Sequence, residues 1–324
     1  MVWNSIAEKW YSSNAMILTL HRVRNRDAGG LGPNEAMTIS PGFLSQFIIE
    51  AKQKGFSFHS LHELDAFLAN GEIEDKKRLF VTIDDGYDDN YLFAWKVFRE
   101  KNVPFTIYLT TGFPDGTAKL WWYALETILL ENRTVEFLGQ TYSTADRDQK
   151  LSAFLEIRTV ILKSSRPTIE KIMGDMTAQY GVDWVKLCAT HSLVWDQIVE
   201  MSSDPLVNFG VHTVSHLPLA RLNNEEIRDE INSSKLRLES NIIPPVQHFA
   251  YPFGGRLEAD KKTIDLVSTL GFKSCATTRT GVLKNAHAKI PHALPRLMLT
   301  EGDTTDTLSR RALRANKFNR FVTY

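Results

Sequence analysis

The chain has 324 residues, a length that suits either two ordinary domains or one large α/β domain with an insertion. Apolar residues make up 43% and charged residues 23%, the balance of a soluble globular protein, which excludes a disordered chain, a collagen and a coiled coil. Lys and Arg number 38 and so do Asp and Glu, so no net positive field exists to hold nucleic acid through its phosphates.

Taken in order, the N-terminal segment lacks a charged stretch followed by a long apolar run, and no secretion signal is expected. No run of about 18 apolar residues suits a membrane span, so the chain reads as cytoplasmic. Short β-rich runs at residues 16–23, 79–84, 105–110, 207–212, 246–251, 272–277 and 294–299 alternate with amphipathic stretches at 42–54, 61–70, 90–101, 225–240, 261–270 and 305–316. Such alternation is the pattern of βα units around a parallel sheet, and seven strands suggest a barrel. Asn223 followed three residues later by Glu226 reads as a capping box.

The spacing breaks over residues 113–203, an insertion in what otherwise reads as one domain spanning 1–324. Within it, 120–130 and 148–164 have helical spacing and 135–143 looks like a hairpin around Gly139. One reading makes this a packed side lobe. The other has it wall a substrate groove, with Trp121 and Trp122 stacking on sugar rings. Cys188 and Cys275 are too few for a disulfide framework and read as buried thiols. The tail, 310–324, carries Arg310, Arg311, Arg314, Lys317 and Arg320 without an acid. Basic ends are usually solvated; a second reading is peripheral contact with an anionic membrane or lipid-linked substrate.

Four places carry chemistry. Asp84 and Asp85 end an apolar strand ahead of Gly86, and adjacent carboxylates there project differently, so that one can bind a metal while its neighbour faces the space beside it. Two such charges need a cation or a shared proton, although Asp-Asp-Gly alone is an ordinary turn. His212 and His216, four residues apart at another strand end, share one face if the chain turns helical there. Two His and a carboxylate suit zinc with positions left open, and iron, cobalt, nickel or manganese take similar donors. Residues 248–256 run from a strand into a Pro-Gly turn whose N–H groups can face a ligand oxygen, and His21 ends the first strand at the same expected rim.

These residues resemble the polysaccharide deacetylases, the NodB-homology domain of carbohydrate esterase family 4. The family's T-F-D-D-G is matched by Thr82-Ile83-Asp84-Asp85-Gly86, its H-[ST]-x-x-H by His212-Thr213-Val214-Ser215-His216, and its R-x-P-[FY]-G by Ala250-Tyr251-Pro252-Phe253-Gly254. The resemblance extends over 17–68, 194–197 and Leu294-Pro295-Arg296-Leu297, most of the chain outside the insertion and the tail. It implies a distorted (β/α) barrel and metal-dependent removal of an N-acetyl group from an amino sugar. Asp85, His212 and His216 would hold one divalent ion, zinc first, with cobalt, nickel or manganese as alternatives. Asp84 would be the general base, with Tyr251, Phe253 and its N–H, Arg296, Trp121 and Trp122 on the substrate side.

The family's acid is a His in a late I-x-L-x-H motif, matched here by Ile17-Leu18-Thr19-Leu20-His21 at the start of the chain, similar to the circularly permuted members. The acid is therefore expected to be His21 in preference to His292, since first and last strands of a barrel are neighbours. Ala250 stands where many members have an Arg that positions the catalytic Asp, so that role is either vacant or supplied from elsewhere, by Arg296 or Arg256. The expected partner is an N-acetylated sugar, as a sugar nucleotide or lipid-linked glycan in cell-surface polysaccharide or lipopolysaccharide assembly, with no nucleic acid. The residues leave open another C–N amide hydrolase, an O-acetyl esterase, a non-catalytic glycan-binding protein, and the oligomeric state.

Overall fold

Strand side chains alternate between two faces, and here that period separates two cores. In the computed structural model, which describes residues 15–73, 76–243 and 245–319, the strands are β1 (Ala15–Leu20), β2 (Arg22–Val23), β3 (Thr38–Ile39), β4 (Ser57–His59), β5 (Arg78–Asp85), β6 (Phe105–Leu109), β7 (Thr134–Phe137), β8 (Gln140–Ser143), β9 (Val207–Val211), β10 (His248–Ala250), β11 (Ser274–Thr280) and β12 (Leu294–Met298). Leu79, Val81 and Ile83 of β5, with Phe105, Ile107 and Leu109 of β6 and Val207, Phe209 and Val211 of β9, pack under the surrounding helices. The alternate residues Ile17, Phe80, Tyr108, Ala250, Ala276 and Leu294 fill the barrel interior with Leu61, Leu64 and Leu68 of helix Leu61–Ala69, which plugs the end where the strands begin.

Seven parallel strands follow one another as β1, β5, β6, β9, β10, β11 and β12, and the ring closes because β1 pairs with both β5 and β12. β4 is a short eighth strand on the first residues of β5, ahead of β6. All seven expected strands are present. The first is interrupted at His21, after which Arg22 and Val23 leave the barrel to pair with β3. The six expected helices are there too, the one at 90–101 opening with a wide π turn, Asn90–Ala94, before helix Trp95–Lys101. The capping box also forms: Asn223 Oδ1 accepts from Glu225 N–H and Glu226 N–H at 2.9 and 3.0 Å, and Glu226 Oε2 accepts from Asn223 N–H at 2.8 Å.

Between β6 and β9 the chain builds helices Trp121–Glu131, Arg147–Lys163, Arg166–Tyr180, Trp184–His191 and Trp195–Ser202 and the β7–β8 hairpin. The hairpin turns on Leu138 and Gly139, both with positive φ, which matches the twist of the flanking strands. Phe154, Ile157, Ile161, Ile169, Ile172 and Met173 give this lobe its own core. The insertion is mostly helical, as expected; helices Arg166–Tyr180, Trp184–His191 and Trp195–Ser202 are the ones that helical spacing does not single out. Both cysteines are buried free thiols. Among the described residues no helix is long and apolar enough to cross a membrane. In the last helix, Thr305–Asn319, Arg311 Nη2 bonds Met298 O at 2.6 Å and Asp303 Oδ2 at 2.8 Å; Arg320 lies outside the described residues.

Candidate active site

Along β5 the alternation points Asp84 into the barrel and should point Asp85 out. The strand instead ends in a tight turn, with Gly86 N–H donating to Asp84 O at 3.0 Å and φ of 77° at Asp85 and 91° at Gly86. The φ of 91° at position 86 strains any residue with a side chain, and a Cβ there would also press on Leu109 Cδ1 at 2.4 Å, so the turn favours glycine. Asp85 is thereby swung onto the rim, at a backbone cost of about 1–3 kcal/mol for a non-glycine residue.

His212 follows β9, its N–H donating to Leu109 O at 2.9 Å. The residues after it are not helical, contrary to the sequence expectation: Thr213 and His216 take left-handed φ of 68° and 55°. Glu230, buried on helix Asn224–Glu239, accepts from Val214 N–H and Ser215 N–H at 3.1 and 2.8 Å and shapes this loop. The imidazoles converge all the same, with His212 Nε2 3.4 Å and His216 Nε2 3.1 Å from Asp85 Oδ1.

The donor chemistry of this cluster fits a divalent cation. His212 Nδ1 lies 2.7 Å from Ala250 O, which can only accept, so Nδ1 carries a proton and in the neutral ring the lone pair is on Nε2, the nitrogen that faces Asp85. Asp85 Oδ1 is buried and, among the described residues, receives no hydrogen bond. Burial alone would raise the Asp85 carboxyl, and protonated His216 and His212 would outweigh it and hold the group well below the ordinary range, so the carboxylate calls for positive charge beside it, which a cation supplies when the rings are neutral. Burial lowers His216, against the pull of Asp85, and so favours the neutral, ligating form. One oxygen and two imidazole nitrogens within 4.8 Å of one another form the Asp-His-His set that zinc-type ions take.

Asp84 is held separately. Arg296 Nη1 and Nη2 meet its two oxygens at 2.6 Å each, while Arg296 Nη1 also donates to Thr82 Oγ1 at 3.1 Å and Nε to Thr277 O at 2.9 Å. Burial pushes the Asp84 carboxyl up, Arg296 more than reverses this, and the group stays ionised. Arg296, not the exposed Arg256, therefore stands against Asp84, and Ala250 lies in the barrel interior. His21 Nε2 lies 4.0 Å from Asp84 Oδ2, and His21 Nδ1 is buried with no hydrogen-bond partner among the described residues. His292 is turned elsewhere, with Nε2 on Phe272 O at 3.0 Å.

His21, Asp84, Asp85, His212 and His216 share a cavity of about 440 Å³ whose walls include Trp121, Trp122, Arg158, Phe253 and Thr278. The inserted lobe supplies the two tryptophans and Arg158. Trp122 Nε1 donates to Tyr87 Oη at 3.0 Å and its ring meets His216 edge-on at 5.1 Å, while Trp121 lies 6.4 Å from the Phe253 ring. Phe253 has φ 60°, and among the described residues no acceptor takes its N–H. The expectation for Tyr251 is corrected: it is fully buried, its hydroxyl donates to His292 O at 2.9 Å and its N–H to Ala276 O at 3.1 Å, so neither faces the cavity. A second cavity of about 550 Å³ beyond Trp121, lined by Arg166, Met173 and Trp184, contains neither the Asp pair nor a histidine.

Sequence reasoning missed Glu230, Arg158 and Tyr87. The first two were findable from helical periodicity: Glu230 sits on the buried stripe of its helix between Ile227 and Ile231, and Arg158 sits at the edge of such a stripe, beside Ile157 and one turn after Phe154.

The sequence matches the family model described as polysaccharide deacetylase over residues 71–275, well over half the chain. No curated protein matches it. Solved structures of the same fold include the Streptococcus pyogenes deacetylase PplD in complex with acetate, with a TM-score of 0.62 and 18% identity, covering 92% of this chain and 97% of that one. IcaB from Ammonifex degensii gives a TM-score of 0.58 and 18% identity over 92% and 96%. The BpsB deacetylase domain from Bordetella bronchiseptica gives 0.55 and 14% over 89% and 96%.

Proposed function

Because the chain belongs to the polysaccharide deacetylase family, we propose that it is a metal-dependent N-deacetylase, which hydrolyses the acetamido group of an amino sugar to acetate and the free amine. The observation that carries this reading is the division of labour between adjacent carboxylates: Asp84 is forked by Arg296, while Asp85 faces His212 and His216 with an oxygen that no donor satisfies. A divalent ion held by Asp85, His212 and His216 would supply Lewis acidity to the acetamido carbonyl and to water.

The chain's own groups do the rest. Asp84, kept ionised and fixed by Arg296, is the base that accepts a proton from the attacking water. The Phe253 N–H, without an acceptor of its own, donates to the oxygen that becomes negative as the carbonyl is attacked. His21, 4.0 Å from Asp84, delivers a proton to the departing nitrogen, which a poor amine leaving group requires. Trp121 and Trp122 give the sugar ring an apolar wall.

The test is metal content by elemental analysis together with acetate release from N-acetylated sugar nucleotides and oligosaccharides, for wild type and Asp84→Asn. About one transition-metal ion per chain, with release abolished in the variant, is the expected result. Metal bound without acetate from any substrate would overturn the reaction, and failure to take up metal would overturn the ligand set.

A further inference from the structure

We infer that the substrate carries an oxyanion, phosphoryl or carboxylate, on or next to the acetamido sugar, and that Arg158 receives it. This rests on the deacetylase reading above and narrows it to a class of substrate.

Arg158 belongs to helix Arg147–Lys163 of the inserted lobe and shares the wall of the cavity with Phe154, one turn before it. That helix buries Ala153, Phe154, Ile157, Ile161 and Leu162, so the arginine leaves the apolar stripe at its edge and enters the space above Asp84 and the His pair. Its guanidinium is half-buried and lies 6.0 Å from the centre of the Phe253 ring. Among the described residues it makes no ion pair and no hydrogen bond, and the carboxylate that acts on it, Glu258, does so from beyond ion-pair distance. Burial lowers its pKa by more than the distant Glu258 raises it, as for a cation that has lost water and gained no close counter-charge.

Among the described residues, the more deeply buried guanidinium groups are partnered. Arg22 is met by Asp88, Asp89 and Tyr123, and Arg296 by Asp84, Thr82 and Thr277 O. The acids on the cavity floor are no partners for Arg158 either, since Asp84 is bound to Arg296 and Asp85 faces the histidines. A planar fork of donors beside an aromatic ring, in a cavity whose acids are committed elsewhere, matches an oxyanion carried in by the ligand. A neutral amino-sugar homopolymer would leave it unmatched.

The experiment compares an N-acetylhexosamine 1-phosphate, a disaccharide of N-acetylhexosamine and a uronic acid, and neutral N,N′-diacetylchitobiose. Acetate release is read as kcat/KM in wild type and Arg158→Gln. Binding is read by calorimetry in Asp84→Asn with and without Arg158→Gln, where turnover is absent. The expected result is a preference of about tenfold or more for one anionic ligand over the neutral one, collapsing toward unity in Arg158→Gln. The two anionic arms tell phosphoryl from carboxylate. Equal affinity for all three ligands, or a preference that survives the substitution, overturns the inference and leaves the deacetylase reading standing. Charge preference in binding with no acetate released supports the inference and sinks the reaction instead. Should Arg158→Gln lose its metal, Arg158→Lys takes its place, with a preference expected between wild type and unity; an undiminished preference would count against the fork.

Discussion

Arg296 forks Asp84 from β12, a contact that the family motif would lead one to seek at the position of Ala250. β10 and β12 are separated by β11, yet the inward side chains of all three meet in one barrel interior, and Ala250 and Ala276 are small enough to leave it open. A long guanidinium can then reach Asp84 from β12. Replacing the fork by a single ammonium keeps the charge and loses the geometry: Arg296→Lys is expected to lower kcat about 10- to 100-fold with metal content unchanged. Activity within twofold of wild type would show that Asp84 needs no such clamp. The two candidate acids separate as cleanly. His21→Gln should cost at least about 100-fold in kcat, and His292→Gln, whose ring serves Phe272 O, should cost little. The reverse ranking would move the acid to the other end of the chain. Tyr251 was misread because a motif match does not say which side of the strand each residue faces.

At the scale of elements, the rim is made by two loops that fasten each other. Thr111 N–H and Gly112 N–H donate to Thr213 O and Val214 O at 3.1 and 3.0 Å, and Glu230 takes the next two N–H groups from behind. Helical spacing suggested the wrong local structure for residues 212–216 and still the right meeting of the two rings, because left-handed turns at Thr213 and His216 also bring His216 back toward His212 and Asp85. Those turns are imposed from residues distant in sequence, which no local window contains. Glu230→Gln preserves the shape and removes the charge that orders the loop, so the dissociation constant for zinc, measured by chelator competition, should rise about 10- to 100-fold. An unchanged constant would reduce Glu230 to a packing residue. Gly112→Ala puts a Cβ 2.4 Å from Val214 O, a backbone atom, and is expected to lower stability by about 1–3 kcal/mol in urea titration.

For the whole molecule, closure of the barrel through β1 brings the beginning and the end of the chain to one rim and puts His21 beside Asp84. Closure also buries polar groups in the interior, with consequences for stability against pH. His248 is fully buried between Ser274 Oγ at 2.8 Å and His62 Nδ1 at 3.3 Å. Burial first, then His62 and Lys273, push its pKa from 6.5 down to about 3. Between those values the unfolded chain binds a proton that the native state refuses, so stability is greatest above about pH 6.5 and falls as the pH drops toward 3. The urea midpoint should therefore decline over this window, and His248→Gln should flatten the decline; an unaltered slope would mean that His248 is protonated in the fold.

Local order was written in the sequence. The seven strands, the six helices between them, the Asn223 cap, the hairpin at Gly139 and the acid and histidine pairs at strand ends all follow from periodicity, turn chemistry and motif spacing, which act over a few residues. What the tertiary structure decided is everything set by contacts between distant segments. It turned Asp85 out of the strand pattern, chose Arg296 to face Asp84, hid Tyr251 in the core, bent residues 213–216 out of a helix, and set an arginine of the inserted lobe over the cavity. Such choices depend on which volumes are left open and which donors are left unmatched once the barrel has closed, and neither quantity exists before the chain is folded.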